Sequence, residues 1–434
     1  MADRPMNLPP LDPAARAAFP LEAANRCVKC GLCLPHCPTY RLAGEEAESP
    51  RGRIALLQGL VEGQFALTER VRDHLDHCLH CRACERTCPA DVPYGAVMDA
   101  GRRLYAPAEP RFRRYLGHLL RNGIVTRPPR LAALMTAVWL AQRGGLPTLF
   151  RRLGLARLFR VEAAMALLPP LRRPRRWKSL YPPEGANRGE VALFLGCIAR
   201  HTDAALLRSA IAVLNRLGYT VHVPLAQGCC GALHAHAGDA ATAEGLTAIN
   251  LNTFDGYQTV VHLATGCGAQ LLEGFHENGP RVVELTRFLA EDDWPVAPTH
   301  LAAADGTPLR VQIHLPCTAR NVLRDTTAAD DLLARLPGVT TEPLPGNAFC
   351  CGAGGDKMLT APAQAAALRG PKLAEADGDW LVSTNPGCAL HLAAGLPPGE
   401  RARVTHPVAL VARALGVDRG RGIWMRRRPQ SFSR

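Results

Sequence analysis

The sequence predicts an α+β multidomain protein: a cysteine-rich α-helical module followed by two duplicated α/β units. Three observations point there. Sixteen cysteines fall into two differently spaced groups. The first eight form one phrase written twice in a helical N-terminal stretch, CVKCGLCLPHCP from Cys27 and CLHCRACERTCP from Cys78. The last eight recur in a longer unit whose short β-rich runs alternate with helical stretches. The resulting division is 1–106 for the helical module, 107–188 for a basic amphipathic connector, 189–300 and 301–418 for the two α/β units, and 419–434 for a basic tail.

A chain of 434 residues, 47% of them hydrophobic, can bury several cores of ordinary domain size. Its N-terminus, MADRPMNLPPLDPAARAAFP, lacks the apolar centre of a signal peptide. The longest uncharged apolar run, LAALMTAVWLA from Leu131, is shorter than the roughly 18 residues a membrane span requires. The expectation is a cytoplasmic chain that does not cross a membrane. A reducing compartment disfavours a disulfide framework, so the cysteines read as metal donors.

Spacing selects the metal. In C-x2-C-x2-C-x3-CP, three thiolates wrap one small object and the fourth, followed by proline, is directed elsewhere, which is the pattern of bacterial two-cluster ferredoxins. In that pattern the fourth cysteine of each run serves the other cluster. One 4Fe–4S cluster then takes Cys27, Cys30, Cys33 and Cys88, and a second takes Cys78, Cys81, Cys84 and Cys37. Zinc is the competing reading, but it prefers two separated CxxC or CxxH pairs closing one tetrahedron. With eight cysteines assigned, His36, His77 and His80 read as residues around the clusters rather than ligands. The interval between the runs holds SPRGRIALLQGLVEG, with Ser49 as N-cap, Pro50 at the first helical position and Ile54, Leu57 and Leu60 on one face. LTERVRDHLDHC forms a second helix leading into Cys78, so the module is an α-helical ferredoxin domain.

The repeat beyond residue 190 is differently built. Its first copy has LFLGC ending at Cys197, QGCCG with Cys229 and Cys230, and LATGCG with Cys267; its second has IHLPC ending at Cys317, FCCGAGG with Cys350 and Cys351, and STNPGC ending at Cys388. Intervals of 32 and 33 residues to the paired cysteines, and of 37 and 37 onward, mark a duplication. The strands read as VALFLGC, YTVHVP and VVHLATGC in the first copy and as RVQIHLPC and WLVSTNPGC in the second, with DAALLRSAIAVLNRLG a helix between. Strands separated by helices imply parallel sheets whose carboxyl ends form a crevice, and the cysteines fall at those ends. Four thiols per unit read as a site for one or two further iron–sulfur clusters; a vicinal disulfide at each pair, or inert buried thiols, are the plainer readings. CGAGG at Cys351 lacks the spacing of a nucleotide loop.

From Arg111 to Lys178 the chain carries fifteen arginines and one lysine against Glu162 alone, more charge than the +13 of the whole protein. Apolar blocks such as LAALMTAVWLAQ and LFRVEAAMALLPP make this segment amphipathic. A surface lying on anionic lipid, a dock for an acidic partner and a solvated connector all fit it. Nucleic acid does not, because no aromatic stacking platform or recognised binding module accompanies the charge.

Together, the two cysteine runs, the intervening GEEAESPRGRIALLQGLVEG and the duplicated C…CCG…C units resemble the iron–sulfur subunit family of bacterial glycolate oxidase across nearly the whole chain. The wider group includes cysteine-rich subunits of heterodisulfide reductase, lactate utilisation and anaerobic glycerol-3-phosphate dehydrogenase. The resemblance implies an electron-transfer subunit. Flavoprotein subunits of the complex would oxidise glycolate or another 2-hydroxy acid, and this chain, with no flavin and no catalytic acid/base pair of its own, would pass electrons to a membrane or soluble acceptor. A peripheral seat on the cytoplasmic face of the inner membrane, with a quinone contact, stays open. So do a D-lactate or glycerol-3-phosphate dehydrogenase complex and a non-catalytic cluster scaffold or sensor. One departure limits the carry-over: heterodisulfide reductase relatives end each unit in CxxC, whereas here the first of those positions is Ala264 in one unit and Asn385 in the other.

Overall fold

Between the two cysteine runs, Ser49 sets a helix start as its spacing demands. Its Oγ accepts from the Gly52 amide at 2.9 Å, Pro50 occupies the first turn, and the helix Pro50–Glu62 ends at Gly63 with φ +76°. In this computed structural model, which describes residues 11–108, 111–158, 161–275 and 279–418, that helix is the centre of the N-terminal module. The predicted basic tail lies outside the described residues. Ile54, Leu57 and Leu60 are buried against Val97, Met98 and Leu104 of the helix Tyr94–Tyr105. A second helix, Glu69–Asp76, is capped by Thr68 and leads into Cys78 as its sequence implies.

The basic stretch forms helices Arg111–His118, Pro128–Arg143 and Leu146–Arg152 joined by a π-helical segment, Leu119–Val125. Few of its side chains are buried, Leu131, Ala156 and Leu167 among them. Large apolar residues face outward instead, including Phe112, Tyr115, Leu140, Leu149, Leu153 and Leu158. Among the described residues no helix is long and apolar enough to cross a membrane.

Both units are built on parallel sheets. The first contains β1 (Leu180–Tyr181), β2 (Gly189–Phe194), β3 (Tyr219–His222), β4 (Thr259–His262) and β5 (Arg281–Glu284), ordered β1-β3-β2-β4-β5. The second contains β6 (Leu309–His314), β7 (Val339–Pro343), β8 (Trp380–Ser383) and β9 (Val404–Thr405), ordered β7-β6-β8-β9. Apart from β1, which pairs antiparallel with β3, every pairing is parallel. Removing β1 leaves the same order in each unit, so the duplication seen in the cysteines extends to topology. In both, the first strand is central and its neighbours lie on opposite sides. The chain crosses the sheet in opposite directions from it, leaving a crevice at the carboxyl ends.

The units share one core. Val191, Leu193, Val213 and Leu214 belong to the same buried cluster as Val311, Ile313, Val408 and Val411, and the helices Ala204–Arg216 and Pro407–Ala414 pack together. At this junction His406 and Glu284, each capping the helix that follows it, meet at 3.1 Å.

Candidate metal centres

Each N-terminal cysteine run folds by the same device. The backbone turns left-handed at Lys29 (φ 56°) and Gly31 (φ 88°) in the first run, and at the matching positions His80 (φ 49°) and Arg82 (φ 55°) in the second. Left-handed turns alternating with ordinary ones curl successive amides into a concavity suited to an anion, and cluster sites use such nests. All sixteen cysteines are free thiols.

Cys37 lies in electrostatic range of both runs, of Cys33 in the first and of Cys81 and Cys84 in the second. Cys81 and Cys84 both feel Cys37 and Cys78 electrostatically, and burial, the larger influence, pushes both thiols well above the ordinary range. Cys33 is pushed up to about 11, chiefly by burial. Thiols in this condition are neutral until a cation binds, and binding displaces their protons. Among the described residues of the helical module no three cysteines bring their sulfurs within 4.8 Å of one another.

A buried network positions this site. Arg53, 1% exposed, donates to the Glu48 carbonyl at 2.7 Å, to Glu48 Oε2 at 2.6 Å, to Thr39 Oγ1 at 3.0 Å and to the His74 carbonyl at 2.7 Å. Cys37 Sγ rests on the other side, 3.3 Å from Thr39 Oγ1 and 3.6 Å from the Glu48 carbonyl. His74 and His77 reach Glu48 Oε1 at 2.7 and 2.8 Å, so His77 is turned to the carboxylate. Burial alone raises the Glu48 carboxyl, but the hydrogen bond from His77, the charge of Arg53 and the hydrogen bond from His74 together hold it below the ordinary range.

The two runs differ in surroundings. Cys30 is exposed, flanked in sequence by outward-facing Val28 and Leu32. The second run meets the α/β units. Cys81 lies in electrostatic range of Cys350 and Cys317, the Cys81 carbonyl accepts from Asn321 Nδ2 at 2.7 Å, and Arg41 stacks 3.9 Å above the Phe349 ring. His80 stacks on His236 with ring centroids 4.4 Å apart, both facing Asp99 at 3.4 Å.

In the units the thiols gather where predicted, at the carboxyl ends of the strands. Cys197, Cys229, Cys230 and Cys267 form a string of neighbouring sulfurs in the first, and Cys317, Cys350, Cys351 and Cys388 form one in the second. Hydrogen bonds from flanking thiols hold Cys229 and Cys350 below the ordinary thiol range, and burial together with the same contacts pushes their neighbours up. The glycine after each pair is needed for two reasons. Gly231 and Gly352 have φ +96° and +92°, and a Cβ on Gly352 would lie 2.6 Å from the Ala365 carbonyl.

Two pairs of residues escaped the sequence reading, although aligning the repeats exposes both. Gln227 and Asn347 play one role: the first accepts from the Leu195 amide at 2.6 Å and the second from the Leu315 amide at 3.0 Å, pinning the strand ends that carry Cys197 and Cys317. Arg200 and Arg320 stand three residues after those cysteines, each in the electrostatic field of its unit's thiols. Asn385, which replaces a thiol of the CxxC relatives, donates to Cys388 Sγ at 3.5 Å.

A helical two-run cysteine module, docked on a pair of α/β units with thiols at their strand ends, defines an iron–sulfur protein of the electron-transfer class. The 4Fe–4S dicluster domain family matches residues 23–92, and the cysteine-rich domain family matches 191–272 and 311–393. The glycolate oxidase iron–sulfur subunit of Escherichia coli K12 is 33% identical over 92% of this chain and 96% of its own length. The probable glycolate oxidase iron–sulfur subunit of Bacillus subtilis 168 is 28% identical over 90% and 94%. Lactate utilization protein A of Bacillus cytotoxicus is 26% identical over 50% of this chain and 96% of its own. The chain belongs to the glycolate oxidase iron–sulfur subunit family.

Proposed function

We propose that this chain is the electron-transferring subunit of a glycolate-oxidising complex, receiving electrons from a flavoprotein at its first cysteine run. The observation that carries this reading is the contrast between the runs: Cys30 is exposed between outward-facing Val28 and Leu32, whereas the second run is packed against the α/β units. An electron wire needs an end that a partner can approach and an end that leads inward. Val28 and Leu32 would bury against the flavoprotein and bring its redox centre close to the chain's surface.

Cys27, Cys30, Cys33 and Cys88 would hold one 4Fe–4S cluster, and Cys78, Cys81, Cys84 and Cys37 the other, each accepting and releasing single electrons when bound. The nests at Lys29–Gly31 and His80–Arg82 orient the thiols, and Arg53 with Glu48 fixes Cys37 between the two runs. Burial excludes water from the inner site. The strand-end thiol sets are further metal centres, at Cys197, Cys229, Cys230 and Cys267 and at Cys317, Cys350, Cys351 and Cys388. The working division of the chain is the one given by its sequence, with the ferredoxin module to residue 106, the connector to 188 and units parting at 300.

The connector carries the membrane part of the proposal. Outward-facing Phe112, Tyr115, Leu140, Leu149, Leu153 and Leu158 on a segment with one acid among sixteen cations suit the interface of an anionic bilayer, where a quinone acceptor would be reached. The test is reconstitution. Isolated chain given glycolate should not reduce a dye, and adding the flavoprotein subunits should start turnover. Dye reduction by the isolated chain would refute the division of labour.

A further inference from the structure

The second cysteine run meets the first α/β unit through a group of side chains that includes no thiol. His80 lies between Cys78 and Cys81, Asp99 lies on the helix Tyr94–Tyr105, and His236 directly follows the helix Ala232–Ala235 of the unit. One donor atom from each lies within 4.8 Å of the other two. Both imidazoles turn Nδ1 to the same carboxylate oxygen, Asp99 Oδ1, each at 3.4 Å, and the rings stack with centroids 4.4 Å apart. The first run has no counterpart: the residue matching His80 there is Lys29, and an ammonium has no lone pair to offer a metal.

Hydrogen bonding does not account for this arrangement. A direct N–H···O bond spans about 2.7–3.2 Å, so here one oxygen is shared by two nitrogens that both stand off from it. The His80 side chain is 8% exposed, and its Nε2 is buried without a hydrogen-bond partner. Nothing holds the far nitrogen, so the ring's orientation is set on the Asp99 side. A cation bound tetrahedrally at about 2.0–2.1 Å by nitrogen and about 2.0–2.2 Å by oxygen spaces those donors about 3.3–3.5 Å apart. The observed spacing is therefore that of donors around a cation rather than of groups bonded to one another.

We propose that His80 Nδ1, His236 Nδ1 and Asp99 Oδ1 form a site for a divalent transition cation, zinc by donor set and geometry, with water as the fourth ligand. The rings bind as neutral imidazoles, and no electron moves. The Asp99 and His236 side chains are 30% and 38% exposed, which gives the ion a way in, while His80 forms the inner wall. Arg102 and Lys357 lie in the field of His80 and oppose a cation, so the site is dissociable rather than a permanent structural centre. When filled, it ties the second run and the helix Tyr94–Tyr105 to the first unit. Availability of the cation thereby tightens the seat of the ferredoxin module.

Full-length protein, purified anaerobically and dialysed against EDTA, is equilibrated with zinc chloride and assayed for zinc, iron and acid-labile sulfide, and by X-ray absorption at the zinc edge. A gain of about one zinc per chain is expected, with nitrogen and oxygen at about 2.0–2.2 Å and iron and sulfide unchanged. Asp99→Asn and His236→Gln, both at partly exposed positions, should each weaken this uptake by about tenfold or more. Amide exchange in Ala232–Ala235 should slow with zinc in the unaltered protein and not in Asp99→Asn. Zinc gained only with sulfur at about 2.3 Å would place the ion on thiols and overturn the site. Uptake unchanged in both variants, or no uptake, would overturn it as well, and exchange unaffected by bound zinc would overturn the tightening.

Discussion

Replacing Arg53 by alanine should loosen the inner half of the ferredoxin module more than any surface change in it. Arg53 is 1% exposed and its Nη2 lies 2.6 Å from Glu48 Oε2, whose side chain is 5% exposed, so the pair is buried at both ends. The guanidinium also serves the carbonyls of Glu48 and His74. Removing one partner strands a buried carboxylate and two acceptors, a loss of about 3–5 kcal/mol. His74 and His77 still reach Glu48 and offset part of it, which favours the lower end of that range. The assay is amide hydrogen exchange on the full-length protein, read in the helix Pro50–Glu62. At about 1.4 kcal/mol per factor of ten, exchange at Ile54–Leu60 should quicken by about a hundredfold or more if exchange follows the opening equilibrium. Arg53→Lys should recover less than half of this, since an ammonium cannot reproduce the fork. A change below tenfold for Arg53→Ala would refute the claim that this pair holds the module together.

Three further outcomes are expected. If Cys37 and Cys84 serve one cluster, Cys37→Ala with Cys84→Ala should lose no more iron than Cys84→Ala alone, whereas Cys37→Ala with Cys30→Ala should lose both clusters; the opposite pattern would reverse the ligand assignment. Burial lifts the Asp203 carboxyl from 3.8 to about 6, so the unfolded chain ionises first and stability falls as pH rises through that interval. Asp203→Asn should accordingly stabilise the units by about 3 kcal/mol at pH 8 and by clearly less at pH 5, read from urea midpoints by tryptophan fluorescence, and an equal effect at both would contradict it. Changing Arg172, Arg173, Arg175 and Arg176 to glutamine should weaken binding to phosphatidylserine vesicles, by about 1 kcal/mol for each charge near the surface, as should added salt; full vesicle binding with loss of the flavoprotein would make the connector a protein dock.

Much of this architecture was legible because its signals are local. Ser49 and Pro50 announce a helix start within two residues, and the cysteine phrases carry their own spacing. Strands such as VALFLGC and RVQIHLPC stood out as apolar runs ending in cysteine, and both became central parallel strands. What the sequence concealed depends on distant partners. β1 and β9 are two residues each and exist only by pairing with β3 and β8, so no periodicity could reveal them. Arg53 reads as one more charge on an amphipathic helix until Glu48 and the His74 carbonyl close around it. His314 sits in an alternating strand pattern, where a histidine is ordinarily a satisfied core residue; that it gathers with Ser383, Cys351 and Cys388 depends on segments distant in sequence. The left-handed turns at His80 and Arg82 fall on residues that do not favour them, so composition gave no hint of the nest that Gly31 marks in the first run.

The account stands on the N-terminal eight cysteines holding two iron–sulfur clusters, and anaerobic iron, zinc and sulfide analysis of the module's content tests that most directly. Full-length protein should contain at least about eight irons and about eight sulfides, four of each lost with Cys30→Ala and four with Cys84→Ala, as two four-iron clusters require. Zinc in place of iron at these residues, or iron without sulfide, would contradict it.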